Sequence, residues 1–439
     1  MAASTKQYGI FPTPIEIFEK YIFDKIKDSL NDFIFVDFFC GSGNLVLPIL
    51  GHINASERID YFKEHIFMFD VIPDQVNKSI ENAVKYGIPK DVASDNIKVR
   101  DTIVNYPSEL VDKYGDRIFH ITNPPYLSTH VIGRSNFKSE MSKFKGECSA
   151  FNDLYQLALY NDIKHNIKNM IYIIPSNFIF STVSARNIRN VVFDKYSINS
   201  AILFEKRIFD YTGTNVGIFE LARTYDISDK KTFVAKKIYY VGEKQIKYEL
   251  LKKYNYAGGT KFYEFLEKTP KSKDYKILFK LKEKELDYNC GDNNVILYYT
   301  NTRELKTVGV NKNEFNKIKG NILYARIVDG GSKHKRIGLY DIRKFNKACD
   351  GIASLTNFHR VGPIEVFINP QISIDEQEKL IYVFNRNLEK LRRETDSDFL
   401  LTFQVPFGNG YIKKYMPIKL FSALMLISLN DFKNIKNNL

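Results

Sequence analysis

The most specific chemistry in this sequence lies in five residues, Thr122-Asn123-Pro124-Pro125-Tyr126, which close an apolar run. Two consecutive prolines hold the backbone extended at that end and fix the Asn123 side chain and the Pro124 carbonyl as neighbouring acceptors. An exposed amino nitrogen between them would be held and polarised. A nitrogen whose lone pair is conjugated into a ring is a poor nucleophile, and two acceptors aligned on its hydrogens favour a geometry in which the lone pair attacks. Tyr126 offers a flat face to such a ring.

Three acidic residues end three earlier apolar runs. Asp37 opens Asp37-Phe38-Phe39-Cys40-Gly41-Ser42-Gly43, where Gly41 and Gly43 permit positive φ and let a ligand approach the backbone at the carboxyl edge of a sheet. Gly-x-Gly alone is shared by many βα turns. Asp70, followed by Val71, ends Ile66-Phe67-Met68-Phe69 and is placed to accept from both hydroxyls of a ribose. Asp101 repeats the placement one strand later and is suited to accept from an adenine amino group.

The elements that must carry these residues alternate along the first half of the chain. Strand candidates are Ile34 to Phe38, His65 to Asp70, Ile97 to Arg100, Ile118 to Thr122, Met170 to Ile174, Ser200 to Phe204 and Val216 to Leu221. Helices fall between them at Pro14 to Lys27, Asp74 to Tyr86, Asp153 to Asn166 and Ala185 to Asp194. This is the pattern of an α/β domain with a mainly parallel, seven-stranded sheet. Thr13 and Glu16 form a Thr-x-x-Glu capping box with Pro14 in the first turn, and Ile15, Phe18, Ile22 and Ile26 make an apolar stripe. The alternation ends near Thr224 to Lys231, which predicts domains at 1–225 and 226–439. The second is expected to be α+β, with a helix at Asp375 to Arg393 capped by Ser373 and an exposed basic loop at Gly330 to Arg336.

No apolar run approaches the roughly 18 to 20 residues of a membrane span, and Met1 to Tyr8 lacks the apolar centre of a secretory signal. Cys40, Cys148, Cys290 and Cys349 form no Cys-x-x-Cys pair, which predicts a reduced, cytoplasmic protein without a disulfide framework or metal site. The net charge of +13 is uneven: residues 1–225 hold 25 Lys+Arg and 26 Asp+Glu, residues 226–439 hold 39 and 25. A basic module beside a neutral one suits a polyanion-binding enzyme, with Lys333, Lys335 and Arg336 as candidate phosphate contacts. A lysine-rich surface without a partner gives the same count.

The order of Phe11-Pro12-Thr13-Pro14, Asp37 to Gly43, Asp70, Asp101 and Asn123-Pro124-Pro125-Tyr126 resembles the gamma-class, TaqI-type DNA N6-adenine methyltransferases over about residues 9 to 223. The resemblance extends to Ile173-Ile174-Pro175-Ser176-Asn177-Phe178 and to a late aromatic motif from Ile208-Phe209-Asp210 to Val216. It implies a Rossmann-like class I methyltransferase domain that uses S-adenosyl-L-methionine, followed by a C-terminal DNA-recognition domain. Thr13 would contact the methionine end of the cofactor, Asp37, Gly41 and Gly43 its pocket, Asp70 and Val71 the ribose side, and Asp101 the adenine. Asn123, Pro124, Pro125, Tyr126 and Phe209 would form the catalytic set, with the target adenine flipped out of double-stranded DNA between Tyr126 and Phe209. The longer loop Tyr211-Thr212-Gly213-Thr214 departs from the family pattern. Such an enzyme belongs to a prokaryote or virus, with a separate restriction endonuclease as its counterpart.

Asn-Pro-Pro-Tyr also serves enzymes that methylate a ribosomal RNA base or a protein glutamine amide. The motif order and the basic C-terminal half favour DNA over those. Cytosine N4 methylation more often carries Ser at position 123, and cytosine C5 methylation requires a thiolate after a proline, whereas Cys148 follows Glu147.

Overall fold

The computed structural model describes residues 13–135, 138–209, 215–226, 228–279, 288–299, 304–329, 336–344, 352–355, 364–404 and 412–437. The chain divides into two compact units, Met1–Gly258 with Gln404–Tyr411, and Gly259–Phe403 with Ile412–Leu439.

The first unit is built on one mixed sheet. Its strands are β1 Ile34–Asp37, β2 Ile66–Asp70, β3 Ile97–Val99, β4 Ile118–Thr122, β5 Asn169–Pro175, β6 Tyr196–Glu205, β7 Val216–Arg223, β8 Lys230–Tyr239 and β9 Glu243–Leu251. They lie in the order β3-β2-β1-β4-β5-β7-β6-β8-β9. The first five pair in parallel, β7 runs antiparallel between β5 and β6, β8 pairs in parallel with β6, and β9 closes a hairpin on β8. All four residues of β1 and all five of β4 are buried, as strands in a sheet covered on both faces must be, including the polar Asp37, His120 and Thr122. From β1 the chain winds to β2 and β3 on one side and to β4 and β5 on the other. That reversal between β1 and β4 opens a crevice at the carboxyl ends of the strands.

All seven expected strands form, but the sheet has nine. The unit therefore continues to Gly258, past the expected boundary at 225, because β8 takes its ladder bonds from β6. The expected Thr13 capping box also fails. The first helix runs Ile15–Tyr21 with Pro14 as its uncapped N-cap, and the Thr13 hydroxyl accepts from Asn123 Nδ2 at 3.0 Å instead. Phe18, Ile22 and Ile26 are fully buried, whereas Ile15 faces solvent and Ile17 takes its place in the core.

The second unit packs two long helices, Ile374–Thr395 and Ile418–Asn437, with a four-stranded antiparallel sheet. Ser373 and Glu376 form a reciprocal capping box at the start of the first helix. Leu380, Phe384, Leu388 and Leu391 recur at helical spacing and join Phe421, Leu424 and Met425 in one core. Among the described residues no helix is long and apolar enough to cross a membrane.

Candidate active site

A cavity lies at the crevice between β1 and β4, and Thr13, Asp37, Gly41, Asp70, Val71, Asp101, Asn123 and Pro125 all line it. Residues taken from five separated stretches of sequence therefore meet at one place. Each carboxylate is held by the backbone of the turn it serves. Asp37 Oδ1 accepts from Thr122 Oγ1 at 2.6 Å and from the Phe39 N–H at 3.0 Å, joining β1 to β4. Burial pushes its pKa up to about 6, against the pull of the Thr122 hydroxyl and the Phe39 N–H. Asp70 accepts from the Gly41 N–H through one oxygen and from the Ile72 N–H through the other, both at 2.9 Å. Burial raises its pKa while those N–H groups work to lower it.

The glycine turn is tight for a physical reason. Gly43 sits at φ +82°, and a Cβ there would lie 2.5 Å from Leu47 Cδ1 and 2.6 Å from Ser79 Oγ. Gly41, at φ +54°, has open space where its Cβ would be. Asn82 Nδ2 donates to the Ser42 carbonyl at 2.9 Å, tying the turn to the helix Pro73–Lys85.

Asp101 has a partner that the sequence did not announce. Its Oδ2 accepts from Lys143 Nζ at 2.7 Å, and Lys143 also pairs with Glu140 at 2.8 Å. Burial works against the Lys143 charge, yet Asp101 and Glu140 together hold its pKa above the usual lysine value. Both Lys143 and Glu140 line the cavity, as do Arg100 and Gln75. Glu140 and Lys143 lie three apart on the short 3-10 helix Lys138–Phe144, and nothing local to that helix announces that it is laid against Asp101.

Asn123 is held at both ends of its amide. Nδ2 donates to Thr13 Oγ1, the Thr13 carbonyl accepts from Asn44 Nδ2 at 2.8 Å, and Tyr126 donates its hydroxyl to Asn123 Oδ1. The same hydroxyl reaches the Ile173 carbonyl at 2.6 Å. Burial lifts the Tyr126 pKa well above the ordinary value, so the hydroxyl keeps its proton. The Tyr126 ring is buried edge-on to Tyr155 and does not border the cavity. Leu127 follows and is pinned by Asp153 Oδ1 at 3.0 Å, at the start of the helix Leu154–Lys164.

Gly43, Pro124 and Phe209 also lie off the cavity wall. Phe209 is buried, and its carbonyl accepts from Arg207 Nε at 2.8 Å. Lys333, Lys335 and Asp210 fall outside the described residues. Arg336 is half-exposed and pairs with Glu389 at 3.2 Å.

Among solved structures, the chain is similar to a nuclease-deletion mutant of the type ISP restriction-modification enzyme LlaGI in complex with a DNA substrate mimic. That match has a TM-score of 0.52 at 11% identity and covers 98% of this chain and 47% of that one. The type IIG restriction endonuclease BpuSI matches with a TM-score of 0.45 at 10% identity, over 96% and 60%. The EcoKI M protein, of a type I restriction enzyme, matches with a TM-score of 0.35 at 12% identity, over 46% and 44%. The chain thus spans less than two thirds of each of these proteins. No curated protein matches it in sequence. The family model described as N-6 DNA methylase matches residues 1–305 of the 439, and by that match the chain belongs to the N-6 DNA methylase family.

Proposed function

We propose that this chain transfers a methyl group from S-adenosyl-L-methionine to N6 of adenine in double-stranded DNA, as the modification activity of a restriction-modification system with a separate cognate endonuclease. The observation that carries this reading is the Asn123 amide, fixed by Thr13 through its nitrogen end. Its oxygen end, Oδ1, accepts from the Tyr126 hydroxyl, so both ends of the amide are fixed on the cavity wall. In this reading the Asn123 oxygen and the Pro124 carbonyl are the two acceptors for the hydrogens of a ring amino group, which they come to face when the base enters.

The cavity fits the donor by its chemistry. On its wall the carboxyl groups of Asp37, Asp70, Asp101 and Glu140 outnumber the cations Arg100 and Lys143, which suits a cationic nucleoside, and Val71, about half-exposed, supplies an apolar surface beside the ribose-binding position. When bound, S-adenosyl-L-methionine supplies a methyl group on a positively charged sulfur, whose departure needs no general acid. The chain's own task is then to hold the amino group, keep the hydroxyl of Tyr126 protonated and keep water from the reacting nitrogen.

A paired adenine cannot reach a cavity at the sheet edge without leaving the stack. Tyr126 and Phe209 are the proposed faces for the extruded base. Both are buried, so base entry must uncover them. The unit from Gly259 onward is the proposed target-recognition domain, since it carries 31 Lys+Arg against 21 Asp+Glu.

The test offers methyl-labelled S-adenosyl-L-methionine together with plasmid DNA, ribosomal RNA and a protein extract. Label is expected in DNA. Label confined to RNA or protein would replace this reading with one of the alternatives that share the motif.

A further inference from the structure

Beside the cavity lies a polar network centred on a fully buried pair. His120 and Asp162 are 0% and 1% exposed, the first on β4 and the second on the helix Leu154–Lys164. His120 Nδ1 meets Asp162 Oδ2 at 2.5 Å. Tyr172 donates to the same oxygen at 2.5 Å and Tyr106 donates to Asp162 Oδ1 at 2.8 Å. On its other side His120 Nε2 receives the Phe38 N–H at 3.1 Å.

The reason for the arrangement is the crevice itself. Phe38 follows the last ladder residue of β1, where β2 and β4 part, so its peptide has no strand partner on either side. Side chains replace the ladder. His120 takes the N–H, and Thr102 Oγ1 donates to the Phe38 carbonyl at 2.8 Å. Phe38 lies between Asp37 and the glycine turn, so whatever fixes its peptide fixes the wall of the cavity.

A backbone N–H can only donate, so Nε2 must be the unprotonated nitrogen and the ring proton must sit on Nδ1, facing Asp162. Tyr106 and Tyr172, whose pKa values burial drives far up, remain donors to the same carboxylate. All the hydrogen bonds therefore agree on one tautomer.

We propose that Asp162 locks His120 as its Nδ1–H tautomer, and that this buried pair is a positioning element that sets the Phe38 peptide and through it the affinity for the methyl donor. Neither residue touches the donor; both act through the backbone. The proposal rests on the reading of the cavity as the donor site, and the test separates the two.

In protein labelled with 15N-histidine, the wild type should show His120 with its proton on Nδ1. Asp162→Asn should shift the proton to Nε2, opposing the Phe38 N–H. Donor affinity by calorimetry should then fall by about 10 to 100-fold, the usual consequence of leaving a buried donor without its partner, while affinity for DNA stays at the wild-type value. His120→Gln places an amide oxygen near the Nε2 position and should restore most of the affinity that His120→Leu loses, which keeps the proposal testable where Asp162→Asn does not fold. Wild-type protein with Nε2 protonated, or His120→Leu with unchanged donor affinity, overturns the proposal and leaves the donor site standing. A wild type that binds no S-adenosyl-L-methionine overturns the donor site, and the tautomer result is still read independently.

Discussion

Asp37 is a carboxylate enclosed at the end of β1, and the rise of its pKa to about 6 has a definite sign. A folded pKa above the unfolded value means the folded chain holds the proton more tightly. Asp37 therefore contributes stability that is fully present below about pH 4 and is lost as pH rises through about 6. A shift of about two units corresponds to roughly 3 kcal/mol at most. Thermal unfolding followed from pH 4 to 8 should show a steeper fall in stability for the wild type than for Asp37→Asn, and parallel curves would show that Asp37 ionises normally in the fold. Tyr126→Phe separates two roles of one residue, since it keeps the ring and removes the hydroxyl that holds Asn123. Loss of one well-placed polar contact in the transition state commonly costs on the order of 10² in rate; Tyr126→Phe should lose about 10-fold or more in kcat with donor affinity unchanged, and wild-type turnover would leave the ring as the only working part. Asp37, Asp70 and Asn123 were legible as polar residues ending apolar runs. The Thr13 cap fails because the capping pattern is local, whereas Asn123, which donates to the Thr13 hydroxyl, lies far along the chain. Lys143 shows only a local i,i+3 spacing to Glu140, since its pairing with Asp101 depends on where the short helix Lys138–Phe144 is laid.

Among the elements, the two glycines of the turn should respond differently to one added methyl group. Gly43→Ala puts a Cβ against Leu47 and Ser79 in a left-handed backbone, and strain plus overpacking should cost roughly 2 to 4 kcal/mol. Gly41→Ala carries only the backbone strain, so its melting temperature should lie several degrees above that of Gly43→Ala. Equal melting temperatures would mean that the turn relaxes freely. Most of the seven strands were visible in the sequence because buried strands of a sheet covered on both faces are largely apolar runs. β8 and β9 were not. Lys230 to Tyr239 alternates buried and exposed positions with four lysines among them, and reads as a basic segment beyond the domain. A chain cut after Tyr225 leaves β6 paired with β7 on one side and bare on the side where β8 lies, whereas one cut after Gly258 keeps the nine-stranded sheet. The shorter chain should be recovered aggregated or unfolded and the longer one folded, as judged by a cooperative thermal transition; a folded shorter chain would make β8 and β9 dispensable.

For the whole molecule, the later boundary redistributes the charge. Residues 1–258 hold 33 Lys+Arg against 30 Asp+Glu, leaving a net +10 for the remainder. The basic excess is thus shared slightly with the catalytic unit and still concentrated beyond Gly259. Affinity for DNA should fall by about 0.9 log units per log unit of salt for each phosphate neutralised, and the slope for residues 1–258 alone should be shallower than for the full chain. Equal slopes would place the phosphate contacts in the catalytic unit. The most direct test of the central claim is nucleoside analysis by mass spectrometry of DNA incubated with S-adenosyl-L-methionine and either the wild type or Asn123→Ala. The expected result is N6-methyladenine with the wild type and a loss of at least about 10² in its rate of formation with Asn123→Ala, which still binds the donor. Methylation on cytosine, or undiminished N6-methyladenine from Asn123→Ala, would contradict the role given to Asn123 and with it the chemistry proposed for the site.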